Sequence, residues 1–241
     1  MFVTTRGIVL HTLKYSDSSI IAKIYTEIFG IQSYIVSGVR SPKSKTKVGL
    51  FQPLSLLDLV VYHKNTAGLQ RIKELKISHP LHSTYSNFHK NAIALFIAEV
   101  LYKSLHEETP NPLLFEFLAQ SILSLETEEK QISNFHIYFL ANYTEHLGFY
   151  PQIPQPFFTS FFDLKHGGFT SSLPNHSYFL PKETSKLLYD IFTTSNLSSN
   201  IQLLSVSERR ILIHALLHYY ELHLPSFHDV KSHLVFEQLA G

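Results

Sequence analysis

The rhythm of apolar and polar positions changes near residue 80. Before it, short runs rich in Ile, Val, Leu and Tyr occupy 7–13, 20–25, 32–39, 54–62 and 69–77. In the second run Ile20, Ala22 and Ile24 alternate with Ile21, Lys23 and Tyr25, the two-residue period of a strand with one buried face. The stretch 56–62 is apolar on both faces apart from Asp58, which predicts a central strand. Turn chemistry separates the runs: 15–19 is serine-rich, Gly30 follows Phe29, and 41–49 and 65–68 are polar loops. Five short strands in about 80 residues fit a small, partly closed barrel of the oligonucleotide-binding (OB) kind.

Beyond Pro80 the period lengthens to that of a helix. Ala92, Ile93, Phe96, Ile97, Val100 and Leu101 recur at one- and four-residue steps within 87–105. With Leu95 and Ala98 this helix is apolar nearly all round, which predicts burial. Further helices are expected at 113–125 and 132–147; Gly148 is placed to end the latter and Pro151 blocks its continuation. The stretch 151–181, with its prolines and the Gly167-Gly168 pair, is expected to be an irregular, extended excursion. Helix resumes over 183–192. Ser205 and Glu208 have capping-box spacing for a helix running to about 223, and a short final helix is expected over 227–239. The predicted class is α+β: an OB barrel over 1–80, then an all-α domain over 81–241 interrupted by the excursion.

Composition adds little until it is divided. With 44% hydrophobic and 16% charged residues, the 241-residue chain is of ordinary globular type. Arg6, His11 and Lys14 break up any signal-peptide core near the start, and no apolar run approaches the ~20 residues of a membrane helix, so a cytoplasmic protein is expected. The absence of cysteine excludes disulfides and thiolate metal sites. Net charge is only +1, but residues 1–80 hold eleven Lys and Arg against four acids, and the remainder holds nine against fifteen. The first part is therefore suited to meet phosphate and the second is not.

The chemistry concentrates in 37–47. Arg40, Lys43, Lys45 and Lys47 follow a strand in a glycine-led loop without a nearby acid, interleaved with Ser and Thr that can also bond phosphate oxygens. Such a loop would release counterions from a bound strand. Lys23 and Arg71 are the further barrel cations expected at DNA, and Tyr25 and Tyr34 are candidates for stacking on bases. The competing reading is a solvated lysine-rich loop. Arg209 and Arg210 sit in the first turn of a predicted helix, where the dipole disfavours cations; a docking point for an acidic peptide or phosphate is the functional reading, plain exposed arginines the other.

Other chemistries find no support in the residues. His214 and His218, with Glu221, share a helix face but lack the glutamate after the first histidine that a zinc hydrolase uses as base. His79, His82 and His89 form a looser cluster, and no metal or other cofactor is expected at either. A Walker lysine, a dinucleotide fingerprint and a Gly-x-Ser-x-Gly elbow are all missing, so no enzyme class is indicated.

The ordered set Gly7-Ile-Val-Leu10, Tyr15-Ser-Asp-Ser-Ser-Ile20, Tyr25-Thr-Glu27, Gly30, Ser37-Gly-Val-Arg40, Lys43-Ser-Lys45 and Phe51-Gln-Pro-Leu54 resembles the RecO family of recombination mediators. Glu208-Arg-Arg, Tyr219-Tyr-Glu-Leu-His-Leu224 and Val230-Lys-Ser232 resemble the family's closing helices. The resemblance covers roughly 1–80, 135–150 and 205–240. It implies an OB domain joined to a helical domain, and a nucleoid-associated protein that binds single- and double-stranded DNA and anneals complementary strands. It also implies work with RecR and single-strand-binding protein to load the RecA recombinase. Carried over by position, Arg40, Lys43 and Lys45 would touch DNA; Lys47 joins them on charge alone. Many relatives carry two zinc-binding cysteine pairs after the segment matching 147–151. Here there are none, and His166 and His176 are too few to replace four thiolates. A zinc-free excursion held by Phe157, Phe158, Phe161, Phe162 and Phe169 is expected instead. The rival reading from another class is a protein-interaction adaptor whose barrel binds peptide, with DNA contact incidental.

Overall fold

The structure, a computed structural model, describes residues 2–39, 48–63, 68–130, 132–155, 160–194 and 204–235. Its five N-terminal strands are β1 (Phe2–Lys14), β2 (Ile20–Thr26), β3 (Gly30–Val36), β4 (Leu56–Tyr62) and β5 (Gln70–His79). They close into a barrel in the order β1-β2-β3-β5-β4. Closure depends on the long β1. Its first half pairs with β4, from Phe2↔Tyr62 to Ile8↔Leu56, and its second half with β2, from Gly7↔Thr26 to Lys14↔Ile20. Gly7 stands where the pairings overlap. A Cβ there would lie 2.8 Å from both Ile24 and Leu59, so glycine lets the strand bend over a filled interior. That interior is made by Val9, Ile20, Ala22, Ile24, Tyr34, Leu57, Leu59 and Val61, as the alternation in β2 predicts.

Three helices pack with the barrel: α1 (His82–Ser86), α2 (Phe88–Ser104) and α3 (Pro112–Thr127). The turn of helix α1 is an addition to the expected pattern. Asn87 separates it from α2 and caps α2, its side chain accepting from the His89 and Lys90 amides. Strands give way to helix between His79 and His82, yet the chain's compact units are 1–127 and 128–241, so α1–α3 belong with the barrel rather than with the later helices. Glu126 explains part of this. Its carboxylate accepts the Ser83 amide at 2.8 Å and the Thr84 amide and hydroxyl at 2.7 Å, closing α1 onto α3. Burial alone would raise the Glu126 pKa, but these bonds and the charge of Lys90 outweigh it and hold the carboxyl below its ordinary value. Lys90 is buried, and its ammonium donates to Ser83 Oγ and the Glu126 carbonyl.

The second unit contains α4 (Phe135–His146), α5 (Lys182–Thr193) and α6 (Val206–His223). Helix α4 ends as expected, with Gly148 at φ +82°. The capping box on α6 is present: Ser205 Oγ accepts the Glu208 amide, and the Glu208 carboxylate accepts the Ser205 amide. The excursion carries a three-stranded antiparallel sheet, β7-β6-β8, formed by β6 (Phe161–Asp163), β7 (Gly168–Thr170) and β8 (Phe179–Leu180). Phe162 is fully buried against Phe169, Phe192 and Tyr219. Phe161 packs edge-on to Phe179, while Phe157 and Phe158 lie outside the described residues. The final helix expected over 227–239 does not begin at 227. Residues 227–232 are irregular, with Asp229 at φ 57°, a left-handed backbone that interrupts a helix.

Candidate nucleic-acid interface

Strand β5 presents more outward side chains than simple alternation allows. Val60 pairs with Glu74 but Val61 with Ile72, leaving Lys73 as the extra residue of a β-bulge; Ser78 is the extra residue of a second. The buried face of β5 therefore advances by three residues, through Ile72, Leu75 and Ser78, and the residues between them turn outward in pairs. Arg71, Lys73, Glu74 and Lys76 are all exposed. The ion pairs Lys73–Glu74 (3.4 Å) and Lys76–Asp58 (3.3 Å) involve exposed lysines and leave them available to a stronger anion. Arg71 makes no ion pair with a carboxylate among the described residues.

Two aromatic rings border this cationic edge. Phe2 opens β1 and Tyr62 ends β4; their strand register brings the rings to 5.5 Å, edge to face. Phe2 is 55% exposed and Tyr62 41%, values unusual for large aromatic side chains in a barrel and suited to stacking. The Lys73 ammonium lies 4.6 Å from the centre of the Phe2 ring. Together with Leu69 and Arg71 they line a groove of about 610 Å³. A second groove of about 340 Å³ shares Arg71 and Lys73 and is lined across it by Ile35, Val36 and Ser37. Two residues beyond Ser37 the chain enters the basic run 40–47. Exposed rings beside phosphate-seeking cations are the parts from which single-strand grooves are built.

The other expected contacts separate. Arg40, Lys43, Lys45 and Lys47 lie outside the described residues. Arg71 lines both grooves. Tyr34 does not offer a stacking ring: it is fully buried in the barrel, its hydroxyl finds no partner among the described residues, and burial pushes the phenol pKa up. Tyr25 is likewise buried, stacked 6.1 Å from Phe115 of α3, with its pKa pushed by burial, and then by Glu107, to about 12. Lys23 is half-buried, its ammonium 5.5 Å from the Tyr102 ring of α2. Beside it His11 stacks on Tyr102; burial and then the Lys23 charge lower the His11 pKa. Helices account for the last two, since α3 stacks on Tyr25 and α2 sets Tyr102 beside Lys23 on a barrel face that strand alternation alone would leave open; Tyr34 instead points into the barrel interior. Arg6 fastens that arrangement, donating to Glu27 at 2.8 and 2.9 Å and to Glu116 of α3 at 3.2 Å. Phe2, Tyr62 and Lys73 escaped the sequence reading, since only the register makes them neighbours.

In the second unit, Arg209 donates to the Leu204 carbonyl at 2.6 Å, so its guanidinium also serves the helix start; Arg210 is exposed. His214 packs against His233, and His218 against Tyr178. Among the described residues, Asp163, His166 and His176 bring three possible ligand atoms within 4.8 Å of one another. No helix of the described residues is long and apolar enough to cross a membrane.

The barrel and its aromatic-edged, cationic groove define a protein of the OB-barrel class, continued by a helical second part. Residues 1–81 match the family described as Recombination protein O N terminal, and 85–232 match Recombination protein O C terminal. The chain belongs to the RecO family. It is 38% identical over 238 residues to the DNA repair protein RecO of Flavobacterium psychrophilum, covering 96% of each chain. It is also 38% identical over 241 residues to that of Bacteroides fragilis, covering 99% of each. Among solved structures, an Entamoeba histolytica asparaginyl-tRNA synthetase overlaps 64% of this chain and 35% of its own at 15% identity, with a TM-score of 0.26, too slight a likeness to bear on the fold.

Proposed function

We propose that this chain is a DNA-binding recombination mediator in DNA repair. It anneals complementary strands and, with RecR, helps load recombinase onto single-stranded DNA coated with single-strand-binding protein, at the nucleoid in the cytoplasm. The observation that carries the reading is the groove in which Phe2 and Tyr62 stand exposed beside Arg71 and Lys73. Family membership and the concentration of cations in residues 1–80 support it. Rings of this kind take unpaired bases, and the cations, with Arg40, Lys43, Lys45 and Lys47, take phosphates. Annealing follows where the basic surface screens the repulsion between two strands and leaves most base edges free to pair. The acidic remainder repels DNA over most of its surface, which suits it to protein partners, with Arg209 and Arg210 as its basic docking point. None of this needs a catalytic group.

Phe2→Ala and Tyr62→Ala are each expected to weaken binding of a labelled single strand about tenfold or more, the usual worth of one stacked base. Because neither changes charge, the slope of affinity against salt should stay as in the parent chain. Fluorescence anisotropy measures both quantities. Parent-like affinity in both variants would remove the groove from the interface. Annealing of strands precoated with single-strand-binding protein tests the mediator role. Micromolar affinity for an acidic peptide with no DNA binding at moderate salt would instead favour the adaptor.

A further inference from the structure

The trio Asp163, His166 and His176 sits in the excursion with ligand atoms close enough to invite a metal. The hydrogen bonds around it argue otherwise. Asp163 ends β6, and its Oδ1 accepts the amides of Lys165 (2.9 Å) and His166 (3.0 Å), folding the chain into a turn. Its Oδ2 lies 2.8 Å from His166 Nδ1 and 3.2 Å from His176 Nε2. The decisive contact is on the far side of His176, where Nδ1 accepts the Tyr178 amide N–H at 3.2 Å. A neutral imidazole that accepts at one nitrogen carries its hydrogen on the other. His176 Nε2 then carries the hydrogen, 3.2 Å from Asp163 Oδ2 and without the alignment of a hydrogen bond. A metal would need the Nε2 lone pair, which moves the hydrogen to Nδ1 and sets two donors, Nδ1–H and the Tyr178 N–H, against each other. Metal-bound histidines normally show the opposite arrangement, with the outer N–H facing an acceptor. The trio does not fit a metal.

We propose that Asp163, His166 and His176 form a metal-independent clasp, in which the carboxylate bonds the His166 imidazole and holds that of His176 at ion-pair distance, tying the turn after β6 to the segment entering β8. The clasped turn has a fixed seat. Gly167, at φ +68°, lies so close to α6 that a Cβ would stand 2.7 Å from the Tyr219 hydroxyl, and the Leu164 carbonyl meets His223 Nε2 at 2.9 Å. The other titratable or charged groups facing the clasp are Lys165 in the turn, Tyr178 beside His176, and His218, Tyr219 and His223 on α6. Burial raises the Asp163 pKa, but the bonds from His166 and the two imidazoles outweigh it and leave it below the ordinary value. A depressed carboxyl stabilises at neutral pH, and that contribution is lost only as pH falls through the depressed value.

Hydrogen exchange of peptides spanning 161–180 in the full chain tests this. Exchange at neutral pH should be unaffected by EDTA or by one equivalent of Zn²⁺. Asp163→Asn and His166→Ala should each speed it about tenfold or more, the scale for losing hydrogen bonds to a charged group, with α4 peptides unchanged. Faster exchange in EDTA, or stoichiometric zinc that slows it, would overturn the clasp, as would parent-like rates in both variants. The EDTA and zinc arms need no variant. Nitrogen-15 shifts of His176 in the parent chain must also report the Nε2–H tautomer, and the Nδ1–H form would refute the proposal. The clasp does not depend on the DNA reading, and either can fail alone.

Discussion

Exchanging Arg40, Lys43 and Lys45 together for glutamate is expected to weaken single-strand binding by on the order of a hundredfold at about 0.1 M salt. Each phosphate contact on a single strand adds about 0.7 to the slope of log affinity against log salt. Losing three should flatten that slope by about 2, and over the single decade from 1 M down to 0.1 M this amounts to roughly two decades of affinity. The three reversed charges should also slow association, since steering by a local field acts before contact. An anisotropy titration across salt concentrations reads the slope directly. A weakened affinity with the parent slope would mean that the substitutions act through folding, and an unchanged affinity would mean that the loop does not grip the backbone. The contrast with Phe2→Ala and Tyr62→Ala is sharp, because stacking losses lower affinity without moving the slope.

Gly30→Ala is expected to cost about 3–4 kcal/mol of stability, from two separate sources. At φ +61° any side chain costs about 1–2 kcal/mol for the left-handed backbone. The added Cβ would also stand 2.6 Å from the carbonyl oxygens of Glu107 and Thr109, both backbone atoms in the loop between α2 and α3. Relieving that overlap costs a further 1–3 kcal/mol or so. It would also disturb the Ile31 amide, which donates to the Glu107 carbonyl at 3.1 Å. Thermal unfolding followed by circular dichroism should fall by roughly 10 °C for a chain of this size. Gly38→Ala is the control. It too has positive φ, at +77°, but open space where the Cβ would go, so only the backbone term applies. Equal losses at the two positions would show that the loop does not constrain Gly30.

Much of the architecture was legible in the residues because it rests on short-range physics. Alternation in 20–25 marks a strand with one buried face, and Ile20, Ala22 and Ile24 prove to be its face in the barrel interior, since a strand's side chains must alternate whatever surrounds it. Gly148 and the Ser205–Glu208 pair marked helix ends because caps satisfy backbone groups within one turn. The final helix starts later than expected, at 233, because Asp229 adopts a left-handed conformation that its type permits and its neighbours do not announce.

The candidate site was less legible. Arg71 lines the groove, whereas Tyr34 and Tyr25, expected to stack on bases, are buried, and Lys23 is half-buried beside α2. Alternation separates two faces of a strand; it does not say which of two partly apolar faces another element will cover. Likewise nothing local to Phe2, Tyr62 or Lys73 marks them as neighbours.

By itself the sequence determined where most of the strands and helices run, where several of them stop, and that positive charge gathers in the first third. Those features depend on backbone preferences and residue types acting over a few positions. Tertiary structure alone decided the rest: β1 closing on β4 to pair Phe2 with Tyr62, the bulge that turns Lys73 outward, the helix that stacks on Tyr25, and the meeting of Asp163 with His176. Each of these depends on register and packing between distant segments, which form only when the whole barrel or sheet does.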